Sequence, residues 1–124
     1  MVEIEVANRS GAELDTAAAA ELIRAVLHEE GVDDGELGLQ LVEPKEIRAL
    51  KRDHLGIDEA TDALAFPLDG LDELPDDLPR QLGDVVVCPD VVGEEWRKPL
   101  VHALLHLIGY DHGAEMEARE ELYA

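Results

Sequence analysis

The sequence has 124 residues, 46% of them hydrophobic, which suits one folded domain spanning residues 1–124. Thirty acidic residues against ten basic ones give a formal net charge of -20, which disfavours generic binding to phosphate backbones. The single cysteine, Cys88, excludes an internal disulfide framework. No apolar run approaches the roughly 20 residues of a membrane helix, and residues 1–5 show no signal peptide. We therefore expect a cytoplasmic protein that does not enter a membrane.

Apolar residues recur with the period of a strand or of a helix along most of the chain. In chain order they predict a strand at 2–6, a helix from Asp15 or Thr16 to Gly31, a strand at 37–41, a helix from Pro44 to Gly56, strands at 62–66 and 84–88, a turn or helix capped by Asp90, a helix ending near Ile108, and a short helix from Ala114. Residues 67–82 are rich in proline and acids and are expected to form a loop. The predicted fold is α+β, with a mixed four-stranded sheet packed against helices.

Three histidines near the end of the chain form the most informative pattern. His102 and His106 are four residues apart, so they stack on one face of a helix. Residues 100–108 are otherwise apolar, which predicts a buried helix in which the two imidazoles need partners. Gly109 can adopt the left-handed conformation that ends a helix, which lets the chain turn His112 back towards the other two. We therefore predict a metal site on the C-terminal core helix.

Neutral imidazoles suit zinc, and three protein ligands leave a fourth position for water. One Zn²⁺ ion held by His102, His106 and His112 would therefore be a catalytic centre, and hydrolysis is the natural reaction class. The peptidase motif HExxH would place a glutamate base at position 103, where this chain has alanine.

A base must therefore come from elsewhere in the chain. Asp111, Asp62 and Asp84 are the candidates, and the sequence does not choose among them. His28 and His54 are expected to be ordinary surface or cap residues, and Cys88 a small core residue. The catalytic residues stay unassigned.

The same residues resemble a known family. Residues 102–112, HALLHLIGYDH, closely resemble the HGxLHLxGYDH signature of the YbeY family of bacterial metal-dependent endoribonucleases. Residues 61–67, TDALAFP, are similar to the family's TDVLSFP, and residues 82–88, LGDVVVC, to its LGDIVIC. Met116 and Glu120 resemble positions of the family's terminal helix. The likeness extends over nearly the whole chain.

The resemblance implies a zinc-dependent endoribonuclease that matures the 3′ end of 16S ribosomal RNA and takes part in ribosome quality control. It implies single-stranded rRNA and the small ribosomal subunit as partners, with the three histidines as the zinc ligands. The family's asparagine and arginine before Thr61 are replaced here by Lys51 and Leu55, which removes a residue suited to gripping phosphate. Two alternatives stay open: a zinc hydrolase of another substrate, and a non-catalytic, ribosome-associated metalloprotein.

Overall fold

The computed structural model describes residues 1–56, 61–69, 80–111 and 113–124. Within these ranges lies a four-stranded sheet in the order β1-β2-β4-β3. Its strands are β1 (Glu3–Asn8), β2 (Glu36–Leu41), β3 (Ala63–Pro67) and β4 (Gln81–Val87). β1, β2 and β4 run parallel, while β3 pairs antiparallel with β4 at one edge. The predicted mixed four-stranded α+β fold is confirmed.

Five helices connect or follow the strands. They are α1 (Thr16–Glu29), α2 (Pro44–Leu55), α3 (Pro89–Val92), α4 (Arg97–Leu107) and α5 (Ala114–Tyr123), with a 3-10 turn at Gly93–Glu95. Asp15 caps α1 as predicted, since its side chain accepts a hydrogen bond from the backbone N–H of Ala18. α2 starts on Pro44, and Gly56 ends it in the left-handed conformation.

The two faces of the sheet carry separate hydrophobic cores. On one face, Ile23 and Leu27 of α1, Leu104 and Leu107 of α4 and Met116 of α5 are almost completely buried. On the other face, a smaller cluster surrounds α2; its buried members are Val42, Ile47, Leu64, Val86 and Cys88. Each buried aliphatic side chain contributes about 1.5–3 kcal/mol. Cys88 is fully buried, which confirms its expected place in the core.

Gly83 sets how closely α4 approaches the sheet. A Cβ atom at this position would lie 2.3 Å from the carbonyl oxygen of Phe66 and 2.9 Å from the side chain of Leu107. Its φ of +132° also disfavours any other residue. The absent side chain therefore lets α4 pack directly against β4 and the neighbouring β3.

Two sequence-based boundaries need correction. β4 begins at Gln81, three residues before the predicted strand, because Gln81 and Gly83 still pair with β2. Asp90 lies inside the first turn of α3 and Cys88 is its cap residue, so Asp90 is not the cap. Of the predicted loop at 67–82, residues 70–79 lie outside the described residues. No helix within the described ranges is long and apolar enough to cross a membrane.

Candidate metal centre

α4 presents two histidines on one face of an otherwise buried helix. His102 and His106 are half-buried, whereas the other side chains from Leu100 to Ile108 are buried. The two imidazole rings lie 4.8 Å apart, centroid to centroid, and their planes cross at 80°. The four-residue spacing therefore brings the rings together as the sequence predicted.

Each of the two rings is held by a hydrogen bond from its own Nδ1 atom. Nδ1 of His102 donates to Oε1 of Glu120 in α5, at 2.7 Å. Nδ1 of His106 donates to the backbone carbonyl of Tyr110, at 2.9 Å. A carbonyl oxygen can only accept, so the neutral ring of His106 carries its hydrogen on Nδ1 and its lone pair on Nε2. A carboxylate fixes the same tautomer in His102.

This donor arrangement fits a zinc ion. Zinc-binding histidines almost always donate their second ring N–H to a carboxylate or a backbone carbonyl, which orients the ring and raises its basicity. His102 shows the first of these partnerships and His106 the second. The third predicted ligand, His112, lies outside the described residues. Within the described ranges, no three histidine, cysteine or acidic side chains are grouped to hold a metal.

The end of α4 explains why Tyr110 reaches back to His106. Gly109 has a φ of +109°, and its backbone N–H donates to the carbonyl of His106, while that of Tyr110 donates to the carbonyl of Leu105. This pair of bonds is the Schellman motif. The predicted helix-ending role of Gly109 is therefore confirmed, and the turn also delivers the carbonyl that holds His106.

A buried carboxylate links α1 to α5 and to the turn after α4. Glu30, whose side chain is only 7% exposed, follows α1 and accepts hydrogen bonds from the hydroxyls of Tyr110, at 2.5 Å, and Tyr123. Arg119 lies 3.6 Å from the same carboxylate. Burial raises the pKa of Glu30, but the two tyrosine hydrogen bonds and the charge of Arg119 together outweigh it and leave this pKa below its ordinary value. Glu30 thus ties both α5 and the turn after α4 to α1.

The histidines open into a cleft of about 460 Å³, here called the histidine cleft. It lies over the edge strand β3, between α4 and the C-terminal end of α2. Its lining comprises Lys51, Leu55, residues 61–65, Pro67, His102, Ala103 and His106. Six of these eleven residues are apolar and five are polar or charged, and such a mixture is compatible with a ligand site.

The histidine cleft separates the three candidate bases. Asp62 lines it, with one carboxylate oxygen accepting the backbone N–H of Ala63 at 2.7 Å. Asp84 projects from the face of the sheet opposite α4. It lies so close above Gly38 that a Cβ atom on Gly38 would be 2.0 Å from the Oδ1 atom of Asp84. Asp111 lines a separate shallow pocket beside Glu30. Of the three, Asp62 is the one placed with the histidines.

The remaining histidines lie away from this arrangement. His28 is in the last turn of α1, with its side chain 70% exposed, and pairs with Asp33. That hydrogen bond raises the pKa of His28. His54 is exposed and packs edge-on against Phe66. Both are surface or helix-end residues, as expected from the sequence.

Comparisons with known proteins agree on one family. The family model described as Endoribonuclease YbeY matches residues 4–123. A protein named Endoribonuclease YbeY from Salinispora tropica is 38% identical over 99% of this chain and 90% of its own length. One of the same name from Rubrobacter xylanophilus is 37% identical over 94% and 86%, respectively. A Thermotoga maritima protein solved in solution superposes with a TM-score of 0.55 at 28% identity, over 99% of this chain and 86% of its own.

Proposed function

The chain belongs to the YbeY family, and on that premise we propose that it is a zinc-dependent endoribonuclease. Its substrate would be single-stranded rRNA of the small ribosomal subunit, cleaved in the cytoplasm during 16S 3′-end maturation and ribosome quality control. The observation that carries the zinc assignment is the matched support of His102 and His106, each donating its Nδ1 hydrogen to a fixed oxygen acceptor. The curated relatives named above carry the endoribonuclease assignment.

His102, His106 and His112 are the proposed ligands. A bound zinc ion would polarise a phosphoryl oxygen and lower the pKa of a water molecule at its open position. The chain itself contributes orientation, because Glu120 and Tyr110 prevent the two imidazoles of α4 from rotating.

Asp62 is the proposed general base. It shares the histidine cleft with His102 and His106, and its hydrogen bond to the Ala63 amide keeps the carboxylate in one orientation. A carboxylate in this position can accept the proton of the attacking water as the phosphodiester bond is broken.

Cleavage of small-subunit rRNA by the purified protein tests the proposal. Zinc content and cleavage are measured on one preparation of the wild type, of His106→Ala and of His28→Ala, the last a matched control at an exposed histidine. We expect one zinc per chain and cleavage in the wild type and control, and loss of both in His106→Ala. Equal cleavage by all three proteins would point to a contaminating nuclease. Zinc binding without cleavage would instead support the non-catalytic metalloprotein.

A further inference from the structure

Positive charge is concentrated on one helix of this acidic protein. α2 carries four of the ten Lys and Arg residues of the chain and only two of its thirty acids. The four cations are Lys45, Arg48, Lys51 and Arg52, and the acids are Glu46 and Asp53. Because the chain as a whole carries a strongly negative net charge, the excess of positive charge on α2 favours the approach of a polyanion along this helix.

The C-terminal end of α2 forms one wall of the histidine cleft. Lys51 and Leu55 both line the cleft, one helical turn apart. Among the described residues of the lining, Lys51 is the one lysine or arginine. Its flexible stem lets the ammonium group follow a phosphate as a point charge, without the fixed geometry of an arginine fork.

Two neighbours extend this wall in opposite directions. Arg48 is exposed and lies three residues before Lys51, so the two cations share one side of α2 with Cβ atoms about 5–6 Å apart. Leu55 is 56% exposed at the cleft and offers an apolar surface for an unstacked base. A row of two cations followed by an apolar contact suits a single strand, whose bases are accessible, better than a duplex.

We propose that single-stranded RNA enters the histidine cleft along α2, with Lys51 contacting the phosphate next to the reacting one and Arg48 contacting the phosphate beyond it. Leu55 contacts the base that lies between α2 and the metal centre. This inference rests on the proposed function and names the residues that position its substrate. Lys51 is thus a positioning residue that offsets part of the negative charge of the chain where RNA enters the histidine cleft.

Binding and cleavage by charge-neutral variants test the inference. Lys51→Met keeps most of the aliphatic stem and removes the charge, and Lys98→Met makes the same change at an exposed lysine of α4 outside the cleft lining. The binding probe is a fluorescent, uncleavable 2′-O-methyl RNA strand, followed by anisotropy over a salt series with zinc present. We expect Lys51→Met to weaken binding about tenfold and to reduce the slope of log K against log salt by about 0.7.

Steady-state kinetics provide a second measurement, and its expected result differs from the effect of a general loss of stability. On a cleavable strand, Lys51→Met should raise KM with little change in kcat, because the phosphate contact exists before and during the reaction. Lys51→Arg should restore most of the affinity. Arg48→Met should show a smaller loss, since its phosphate lies farther from the metal centre.

The outcomes separate this inference from the proposed function. If the wild type binds and cleaves RNA while Lys51→Met and Lys98→Met behave alike, the role of Lys51 is refuted and the endoribonuclease assignment stands. If the wild type with zinc neither binds nor cleaves RNA, the proposed function itself fails. Equal affinity of the wild type for a duplex of the same sequence would refute the single-stranded path along α2.

Discussion

Nδ1 of His102 lies 2.7 Å from Oε1 of Glu120, which joins α4 to α5 across eighteen residues of sequence. The Glu120 side chain is only 11% exposed, so water competes weakly for this bond. The contact fixes the imidazole in the tautomer that carries its lone pair on Nε2. α5 thus contributes to the candidate centre without contributing a proposed ligand.

Replacing Glu120 by alanine should weaken zinc binding about 10- to 100-fold, because His102 loses the partner that orients it and raises its basicity. Titration against a competing chelator measures the change. Glu121→Ala is the matched control, since this neighbour is exposed and its removal changes the net charge equally. Equal affinities in the two variants would show that the Glu120 contact is not part of the metal centre.

Asp62→Asn should lower kcat for RNA cleavage by about 10²–10⁴, the usual contribution of a general base, while zinc content stays at the wild-type level. Single-turnover cleavage at saturating RNA gives the comparison. Asp84→Asn serves as control because Asp84 projects from the opposite face of the sheet, over Gly38. A larger loss of kcat in Asp84→Asn than in Asp62→Asn would refute the assignment of Asp62 as the base.

Gly109→Ala should destabilise the fold by about 1–2 kcal/mol, because alanine resists the positive φ of this position although the space for its Cβ is open. Gly31 closes α1 with the same pair of backbone bonds, so Gly31→Ala should cost a similar amount in urea unfolding. Only Gly109→Ala should also lose zinc affinity, since it displaces the Tyr110 carbonyl from His106. Loss of affinity in both variants would indicate a general effect of stability.

The elements that local chemistry determines could be predicted from the sequence. Asp15 and Gly56 mark helix ends, and the spacing of His102 and His106 brings their rings together, because each depends on residues within a few positions. The helix-ending turn at Gly109 follows from the same kind of local preference.

The supports of the candidate centre could not be predicted in the same way. The bond from His102 to Glu120 depends on how α5 docks on α4, and the bond from Tyr110 to Glu30 joins residues 80 apart. The choice of Asp62 over Asp84 depends on which face of the sheet α4 covers. None of these relationships has a periodic signal, although the likeness at Glu120 to the family's terminal helix marked one of the participating residues.

Glu30 predicts a dependence of stability on acid pH. Its folded pKa lies below the ordinary value, so its contribution is complete at neutral pH and is lost as the pH falls below about 4. Glu30→Gln should reduce the free energy of unfolding by about 1–3 kcal/mol at pH 7, and the difference from wild type should narrow in acid. Glu29→Gln, at an exposed neighbour, should show neither effect. A difference in unfolding free energy that stays constant between about pH 3 and about pH 7 would contradict the assignment.

Tyr123 predicts a dependence of stability on alkaline pH. Burial and the hydrogen bond to Glu30 raise the pKa of Tyr123 to about 12. Because the folded pKa is higher than the unfolded one, the contribution of Tyr123 is complete below about 10 and is lost as the pH rises towards 12. Tyr123→Phe should therefore remove part of the alkaline loss of stability, measured by thermal unfolding. An unchanged alkaline profile in this variant would contradict the prediction.

The modest packing of α5 has a consequence for how metal is gained and released. Met116 is its buried residue, and most of the helix is polar and exposed, so transient opening of this segment costs less than unfolding the sheet. Each opening would withdraw Glu120 from His102 and lower the affinity for zinc. By reciprocity, a bound ion must stabilise the closed segment by the same free energy. Slower amide hydrogen exchange across 114–123 on zinc addition would reveal this linkage.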